Sequence, residues 1–469
     1  MENCSRPTSK RVLAVGVCLL LMTVFVSDEN DESSVDEDIN TICGDKSSLS
    51  SSDDDDNDDS CDMSGNPPHI VVVLIDDAGR YPSKVGMQHG SVRPMQPYYL
   101  PRQYATLADK LKEVGYMNHI VGKWHIGSCN WTYTPLWRGF DSHYGCSEGA
   151  TSSHETHVLN IPKRAEKIVR NHNPKSPLFL YVAYMAPHFP LDVPKGFEDS
   201  VELADDDRRK FAGMMAALDD GVGNITRALK DNNMWEDTLF VFLSDNGGDA
   251  AFAGSNYPFR GNKATLWEGG VKVPAFIHGS MLKQSGYVNK ELYHFTDVFA
   301  TLLKVAGGEP DDDIDGKNQW DSLCRGEHSE RSEMLLHLDT HPVTNGAALR
   351  SGDYKYIEGI TNLVVQKLNQ NDELHFDQWY RPAESPDAEI PDAPLISENV
   401  NNRFLFNLKD DPLETTNLFN DPDKQDIINE MKQRLDEYRA SLPQFWFPPG
   451  FDERGNPDNF GEAWTPGWC

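Results

Sequence analysis

Three apolar runs, each about the length of a β-strand, constrain the fold more than any other feature of the sequence. They are HIVVVLI at His69–Ile75, LFLYVAY at Leu178–Tyr184 and TLFVFLS at Thr238–Ser244. The first is a continuous β-branched run without the polar alternation of a half-exposed strand, and this is typical of strands buried on both faces. The runs therefore predict a sheet that helices cover on both sides.

Helical patterns lie between these strands. Ala105–Val114 places apolar residues at helical spacing and ends before Gly115, and residues 208–230 carry a long apolar stripe. A short strand is expected at Asn118–Val121. This alternation predicts an α/β fold with a large, mixed but mostly parallel sheet flanked by helices.

The character of the sequence changes after about residue 310. Shorter strand-like pieces, a polar loop near residues 365–400 and a helical pattern at Asp426–Ser441 predict a smaller α+β subdomain. The aromatic and proline-rich tail is expected to pack across the first domain. We therefore divide the folded part of the chain into a catalytic-type domain at 66–325 and a C-terminal subdomain with its tail at 326–469.

The first 65 residues are not predicted to belong to either domain. Basic residues precede an apolar run at Val12–Val26, which is short for a membrane span and typical of a signal peptide at 1–27, with an uncleaved anchor as the alternative. Residues 28–65 are rich in Ser and Asp and contain too little apolar surface to fold, so we expect an acidic disordered linker. A low-affinity calcium-binding or basic-partner tail is the alternative for this linker. The chain is expected to enter the secretory pathway and to work in the lysosome or outside the cell.

The net charge of −31 argues against nucleic acid as a partner, because backbone phosphates require a basic face. The cysteines beyond the signal segment are scattered without CxxC spacing, which predicts disulfides rather than a zinc site and leaves the pairing open. Asn130 in NWT and Asn224 in NIT are candidate glycosylation sites. The sequence predicts no stable membrane span and does not indicate an oligomeric state.

Polar clusters follow the strands at the points where they end. Asp76 and Asp77 follow the first strand, and Asp245 and Asn246 follow TLFVFLS. In open α/β sheets ligands bind beyond the carboxyl ends of the strands, so these side chains are expected to converge on one crevice. Three carboxylates and one amide oxygen suit a hard cation, Ca²⁺ or Mg²⁺, although each aspartate alone could equally cap a helix or form a turn.

The same crevice is expected to have a cationic side formed by Lys123, His125, His188 and Lys263. Two lysines supply point charges for a tetrahedral oxyanion, and two histidines can donate hydrogen bonds or act as the acid to a leaving oxygen. A lone histidine is more often a core or surface residue. Here each histidine lies just beyond a predicted strand, in GKWHIG and APHFP, and this position favours a functional role.

These stretches occur in an order that resembles the sulfatases. IDDAG, GYMNHIVGKWHIG, RGFDSHYG, APHFP, FLSDNGG and RGNKATLWEGGVKVP are followed by IDG, AALRSGDYKY and DPLETTNL, and the whole is similar to the arylsulfatase B (N-acetylgalactosamine-4-sulfatase) branch. The resemblance implies an alkaline-phosphatase-like fold and a calcium ion at Asp76, Asp77, Asp245 and Asn246. It also implies that Lys123, His125, His188 and Lys263 contact the sulfate or transfer protons. The nucleophile of the family is a cysteine in CxPSR that is oxidised to formylglycine.

That cysteine is missing, because no cysteine of this chain lies in a CxPSR context. In VLIDDAGRYPSKVGMQHG, Gly79 ends the DDxG motif of the family and also begins its GRYP-like segment, two motifs that the family separates by a few tens of residues. We expect an internal in-frame deletion at Gly79, by exon skipping, an error in the assigned coding sequence or genuine loss. Divergence of a short loop is the alternative. Loss of a covering helix would expose apolar surface, so weak or absent folding and no sulfatase turnover are expected.

The resulting prediction is a calcium-dependent sulfuric ester hydrolase of the arylsulfatase B type, acting on sulfated glycosaminoglycans or aryl sulfate esters and inactive in this chain. Two alternatives remain. One is a noncatalytic secreted protein that binds calcium or a sulfated glycan. The other is a phosphatase or phosphodiesterase of the same superfold, which would require a Ser or Thr nucleophile and additional metal ligands.

Overall fold

The computed structural model describes most of the chain from Pro67 onward and a few residues before it. The described residues are 23–26, 61, 66–75, 92–146, 154–198, 202–203, 205–311, 314–339, 346–359, 364–366, 373–375, 378–380, 402–442, 449–461 and 463–469.

The larger sheet has eight strands in the order β4-β3-β5-β2-β6-β7-β1-β8. Its pairings are parallel except for β6 with β7 and β1 with β8, so the predicted mixed and mostly parallel sheet is confirmed. Its strands are β1 (Thr23–Val26), β2 (His69–Ile75), β3 (Met117–Gly122), β4 (Ser142–Tyr144), β5 (Leu178–Ala183), β6 (Thr238–Ser244), β7 (Pro274–His278) and β8 (Tyr287–Asn289).

Helices cover this sheet on both faces, as the apolar runs predict. In chain order the helices of the protein are α1 (Leu107–Glu113), α2 (His154–Asn171), α3 (Asp206–Asp231), α4 (Glu268–Val271), α5 (Asp297–Val305), α6 (Trp320–Arg325) and α7 (Gln425–Ser441). Ile70 and Val72 of β2 pack into the core beneath α1, α5 and α6. Val71 and Val73 face the opposite way, into the core beneath α2 and α3. Both faces of β2 are therefore buried, which explains why its sequence shows no polar alternation.

A second sheet lies in the part of the chain for which the sequence predicts a smaller α+β subdomain. Its order is β14-β11-β10-β9, all antiparallel, and a two-stranded ribbon joins β12 to β13. The strands are β9 (Glu333–Asp339), β10 (Gly346–Ser351), β11 (Tyr354–Gly359), β12 (Val364–Gln366), β13 (Glu373–His375) and β14 (Arg403–Asn407). One face packs on α7 through Ile428 and Leu435. The other face packs on Trp267 of the first domain, so the two sheets share a buried interface.

Two disulfides connect distant parts of the chain. Cys61 bonds to Cys324, and Cys129 bonds to Cys469, with sequence separations of 263 and 340 residues. The prediction of disulfides is confirmed, and the pairing that the sequence leaves open is now assigned. Asp452 N–H also donates to the carbonyl oxygen of Met95 at 2.8 Å, so the tail packs across the first domain as expected.

The described N-terminal residues are few. Thr23–Val26 ends the apolar run assigned to a signal peptide, and it forms β1 between β7 and β8. The signal peptide stays a prediction, and its removal would take this strand out of the sheet. Within the described ranges no helix combines the length and the apolar character needed to cross a bilayer.

Candidate active site

One row of paired residues across four parallel strands defines where the site lies. Gly122 of β3 pairs with Ala183 of β5, Ala183 with Leu74 of β2, and Leu74 with Leu243 of β6. Each of these strands ends at or within one residue of this row, at the same edge of the sheet. All predicted site residues except Lys263 follow this row within five residues in sequence, so the sheet itself brings their loops to one edge.

The loop after β3 carries Lys123 and His125. Lys123 is buried, with 8% of its surface exposed, and its backbone N–H donates to the carbonyl oxygen of Ala183 at 3.0 Å. The indole N–H of Trp124 donates to the carbonyl oxygens of Gly127 and Tyr133, at 3.0 and 2.9 Å. This anchored tryptophan fixes the course of the loop between the two candidate residues.

In His125 and in His188, one ring nitrogen lies within hydrogen-bond distance of a backbone carbonyl oxygen. Nε2 of His125 lies 2.9 Å from the carbonyl oxygen of Val92, and Nδ1 of His188 lies 2.5 Å from the carbonyl oxygen of Phe189. A carbonyl oxygen only accepts, so these nitrogens carry the hydrogens. The hydrogen-bond partners therefore assign the ring hydrogen to Nε2 in His125 and to Nδ1 in His188.

Asp245 and Asn246 lie at the end of β6. The residue before them, Ser244, is the register partner of Ile75, which is the last described residue before Asp76 and Asp77. The amide nitrogen of Asn246 donates to the carbonyl oxygen of Gly247 at 2.9 Å, so its amide oxygen is the atom able to bind a cation.

The donor set therefore fits a hard cation in its chemistry, because it offers carboxylate and amide oxygens. Asp76 and Asp77 lie outside the described residues, and the described part of the chain holds no group of three His, Cys, Asp or Glu side chains that could bind a metal. Only Asp245 and Asn246 of the four predicted ligands are among the described residues. Calcium binding therefore stays a prediction.

The loop that carries Lys263 packs directly on the loop after β6. A Cβ on Gly247 would come within 1.7 Å of the carbonyl oxygen of Gly269, so only glycine permits this approach. Lys263 N–H donates to the carbonyl oxygen of Gly248 at 3.2 Å. The Asn256 side chain binds Gly248 twice, accepting from its N–H at 2.7 Å and donating to its carbonyl oxygen at 2.8 Å. Lys263 is therefore brought to the same edge as Asp245.

Asp249 joins these loops and was missed by the sequence reasoning. Its carboxylate accepts from Ala251 N–H at 2.9 Å and is hydrogen-bonded by the buried Asn262 amide. Burial raises the pKa of Asp249, and the nearby charge of His188 opposes that rise. The ring of Phe252, in the loop after β6, stacks on the ring of Phe189, in the loop after β5, with centroids 4.4 Å apart. Asp249 directly follows the DNGG motif, and this position is the feature of the sequence that could have identified it.

Comparisons with known proteins agree with this architecture. Residues 68–308 match the sulfatase protein family. The chain is 33% identical over 434 residues to arylsulfatase J of Mus musculus, covering 83% of this chain and 71% of that protein. This chain belongs to the sulfatase family.

Other sulfatases show the same likeness. N-acetylgalactosamine-6-sulfatase of Homo sapiens is 26% identical over 418 residues, covering 76% of this sulfatase and 74% of that protein. The crystal structure of Ps i-CgsB in complex with k-i-k-neocarrahexaose superposes with a TM-score of 0.66 at 22% identity, over 82% of this chain and 95% of that one. PsFucS1 sulfatase from Pseudoalteromonas sp. gives a TM-score of 0.61 at 19% identity, over 81% and 92%. The alkaline-phosphatase-like sulfatase fold predicted from the sequence is confirmed.

The structure brings Lys123, His125, His188 and Lys263 to the sheet edge at which Asp245 and Asn246 lie. Their roles stay predictions, as does glycosylation at Asn130 and Asn224. Asn130 donates from its amide to the carbonyl oxygen of Cys469 at 3.0 Å, and Asn224 lies within α3 and donates to Asp220 at 3.1 Å. Asp76, Asp77 and the junction at Gly79 lie outside the described residues of this sulfatase.

Proposed function

We propose that this chain has a calcium-dependent crevice of the arylsulfatase B type that binds a sulfate ester on a glycosaminoglycan. The observation that carries the proposal is the single row of paired residues that brings the loops of Lys123, His188 and Asp245 to one edge of the sheet. Membership in the sulfatase family supports sulfate as the ligand group.

Each predicted residue has a distinct task in such a crevice. The ammonium groups of Lys123 and Lys263 would neutralise the non-bridging sulfate oxygens, and the burial of Lys123 would strengthen that attraction. His188 would donate a hydrogen bond to the ester oxygen, and the hydrogen bond from its Nδ1 to the carbonyl oxygen of Phe189 would orient the ring. Calcium at Asp76, Asp77, Asp245 and Asn246 would supply the charge that offsets the anionic ligand.

We further propose that the chain binds such esters without hydrolysing them. The family attacks sulfur with the hydrated aldehyde of a formylglycine, and no cysteine of this chain lies in the CxPSR context from which that residue is made. The sequence therefore favours a noncatalytic protein that binds calcium and a sulfated glycan. We place its site of action in the lysosome or outside the cell.

The most specific part of the proposal is the substrate class. Resemblance to the arylsulfatase B branch points to N-acetylgalactosamine 4-sulfate, as in dermatan or chondroitin sulfate. A 4-sulfated disaccharide and its 6-sulfated isomer carry the same charge, so comparing their affinities isolates recognition of the sulfate position. Tighter binding of the 4-sulfated isomer supports the assignment, and tighter binding of the 6-sulfated one contradicts it.

Calorimetry on the purified chain, with Ca²⁺ followed by the 4-sulfated disaccharide, tests the proposed binding. We expect both to bind and the disaccharide to remain intact, and a parallel assay with an aryl sulfate to show no hydrolysis. Measurable hydrolysis would overturn the noncatalytic assignment, whereas failure of both ligands to bind would overturn the crevice. Sequencing the transcript and the genomic interval between the codons for Asp77 and Arg80 tests the deletion separately. A continuous coding exon across Gly79 would rule out exon skipping and misassigned coding sequence.

A further inference from the structure

The segment that carries Lys263 is a closed loop with Arg260 at one end and Glu268 at the other. Its base is joined by a hydrogen bond from Gly269 N–H to the carbonyl oxygen of Arg260, at 2.7 Å. Lys263 lies near the middle of the loop, half-buried against the loop after β6. Whatever holds the two ends therefore sets the position of Lys263.

Glu414, in the C-terminal subdomain, contacts both ends of this loop. Its backbone carbonyl oxygen accepts from the Arg260 guanidinium at 2.9 Å, and its carboxylate accepts from Glu268 N–H at 2.8 Å. Glu414 is fully buried, and its φ of 58° is in the left-handed region that non-glycine residues rarely adopt. Such a conformation costs roughly 1 kcal/mol or more, so the surrounding contacts must hold it in place.

A buried lysine reinforces the same contact. Nζ of Lys355, on β11, lies 2.8 Å from one carboxylate oxygen of Glu268 and 2.9 Å from one of Glu414. Against the penalty of burial, the charges of Lys355, Lys272 and Arg350 hold the pKa of Glu268 below its ordinary value. Burial raises the pKa of Glu414. Removal of Lys355 would leave these buried carboxylates without this compensating charge, which is strongly destabilising.

Aromatic rings also hold the Arg260 end of the loop. The Arg260 guanidinium lies over the rings of Trp267 and Trp379, at 4.1 and 4.6 Å from their centroids. Trp267 is itself fully buried against Phe404 and Phe406 of β14. The loop is thus attached to the second sheet by ion pairs, backbone hydrogen bonds and ring contacts at the same time.

We propose that Glu414 is a positioning residue for the anion site and that it acts through Lys263. By holding both ends of the 260–268 loop, it makes the C-terminal subdomain necessary for placing one of the two lysine charges in the crevice. The inference rests on the proposed function in one respect, namely that Lys263 contacts the sulfate group.

Two substitutions separate the effect of the Glu414 side chain from the effect of its strained backbone. Glu414→Gly removes the carboxylate and relieves the cost of the positive φ, so its effect on overall stability is partly offset. Glu414→Gln keeps an oxygen that can accept from Glu268 N–H and loses only the charge. We expect the dissociation constant for inorganic sulfate, measured by calorimetry with saturating Ca²⁺, to rise about tenfold in E414G and less in E414Q.

Glu358→Gln is the matched control, because Glu358 lies on the same β11 strand as Lys355 but pairs with Arg439 and accepts from the Tyr356 hydroxyl at 2.8 Å. Its sulfate affinity should equal that of the wild type. In a double-mutant cycle, E414G should add nothing to the loss caused by Lys263→Ala, because both changes remove the same contact. Additive losses, or an unchanged sulfate affinity in E414G, would overturn the proposal.

Hydrogen exchange distinguishes this inference from the proposed function. If the wild-type chain binds no sulfate, the proposed function fails, and exchange of the amides at 260–268 then decides the role of Glu414 alone. Faster exchange in E414G confined to this loop supports the positioning role. Equal exchange in E414G and wild type overturns it. Should E414G fail to fold, E414Q is compared with the wild type instead, and a smaller increase of exchange confined to this loop is expected.

Discussion

Gly122 lies so close to Ala183 that a Cβ on Gly122 would come within 1.8 Å of the Ala183 carbonyl oxygen. Its φ of 116° is also unfavourable for any other residue. We expect Gly122→Ala to lower the free energy of unfolding by about 3 kcal/mol or more, because β3 and β5 must move apart. The same movement would displace Lys123 relative to His188 and weaken sulfate binding. Urea unfolding and sulfate calorimetry measure the two effects.

Gly223→Ala is the control for this prediction. Gly223 lies within α3, and a Cβ there would meet no atom within 4 Å. Alanine should stabilise the helix by up to about 1 kcal/mol. Equal stabilities of the two variants would show that the β3–β5 approach is looser than the structure indicates.

Buried histidines should make the protein less stable in mild acid. Burial lowers the pKa of His69 and of His294 from 6.5 to about 4. The contribution of their neutral forms is complete above pH 6.5 and is lost as the pH falls toward 4, since the unfolded chain then binds more protons. Each shift corresponds to on the order of 3 kcal/mol by linkage. Asp219, Asp249 and Glu414 have raised pKa values and offset part of this loss.

Urea unfolding at intervals between pH 7.5 and 4.5 measures this dependence. His69→Asn supplies the control, because an asparagine oxygen can replace Nδ1 as the acceptor for Leu178 N–H, 3.2 Å away, without titrating. The slope of stability against pH should become shallower in that variant. A stability that rises on acidification would contradict the prediction.

Calcium should stabilise the chain through Asp245. At a calcium concentration 100 times its dissociation constant, binding to the native state adds about 2.7 kcal/mol. We expect added Ca²⁺ to raise Tm and Asp245→Asn to remove most of that rise, measured by scanning calorimetry. Asp231→Asn, at the end of α3 where Asp231 pairs with Arg170, should respond to Ca²⁺ like the wild type. A calcium response retained in D245N would place the cation elsewhere.

Loss of the Cys129–Cys469 disulfide should release the tail. We expect the double variant Cys129→Ala/Cys469→Ala to have a free energy of unfolding about 2–5 kcal/mol below that of the wild type, because the bond closes a long loop. Cys146→Ser is the control, since Cys146 takes part in neither of the two disulfides, and should change stability much less. Faster proteolysis of residues 449–469 in the double variant would locate the effect. Indistinguishable stabilities would show that other contacts hold the tail.

The sequence predicted those parts of the fold that depend on local pattern. The run His69–Ile75 became β2 with the predicted bounds, and Ala105–Val114 contains α1, where Thr106 and Asp109 form a capping box. The predicted helix at Asp426–Ser441 differs from α7 by one residue. Burial on both faces, strand ends and helix caps are all determined within a few residues of chain, so they can be read without a structure.

Contacts between distant segments could not be predicted in the same way. Glu414 is more than 140 residues from Glu268, and its role depends on how the second sheet packs on the first. Lys355 looks like an exposed strand lysine in DYKY but is fully buried. The pairings of Cys61 and Cys129 are equally nonlocal. Sequence reasoning therefore found the residues expected to contact sulfate more readily than the residues that support them.

The two disulfides alternate along the chain, because Cys129 lies between Cys61 and Cys324, and Cys324 lies between Cys129 and Cys469. A single backbone cut anywhere between Cys61 and Cys469 therefore leaves both pieces joined by at least one sulfur bridge. A protease that nicks one loop of the protein would produce two bands on a reducing gel and one band without reductant. The folded domains would survive such processing as one covalent body.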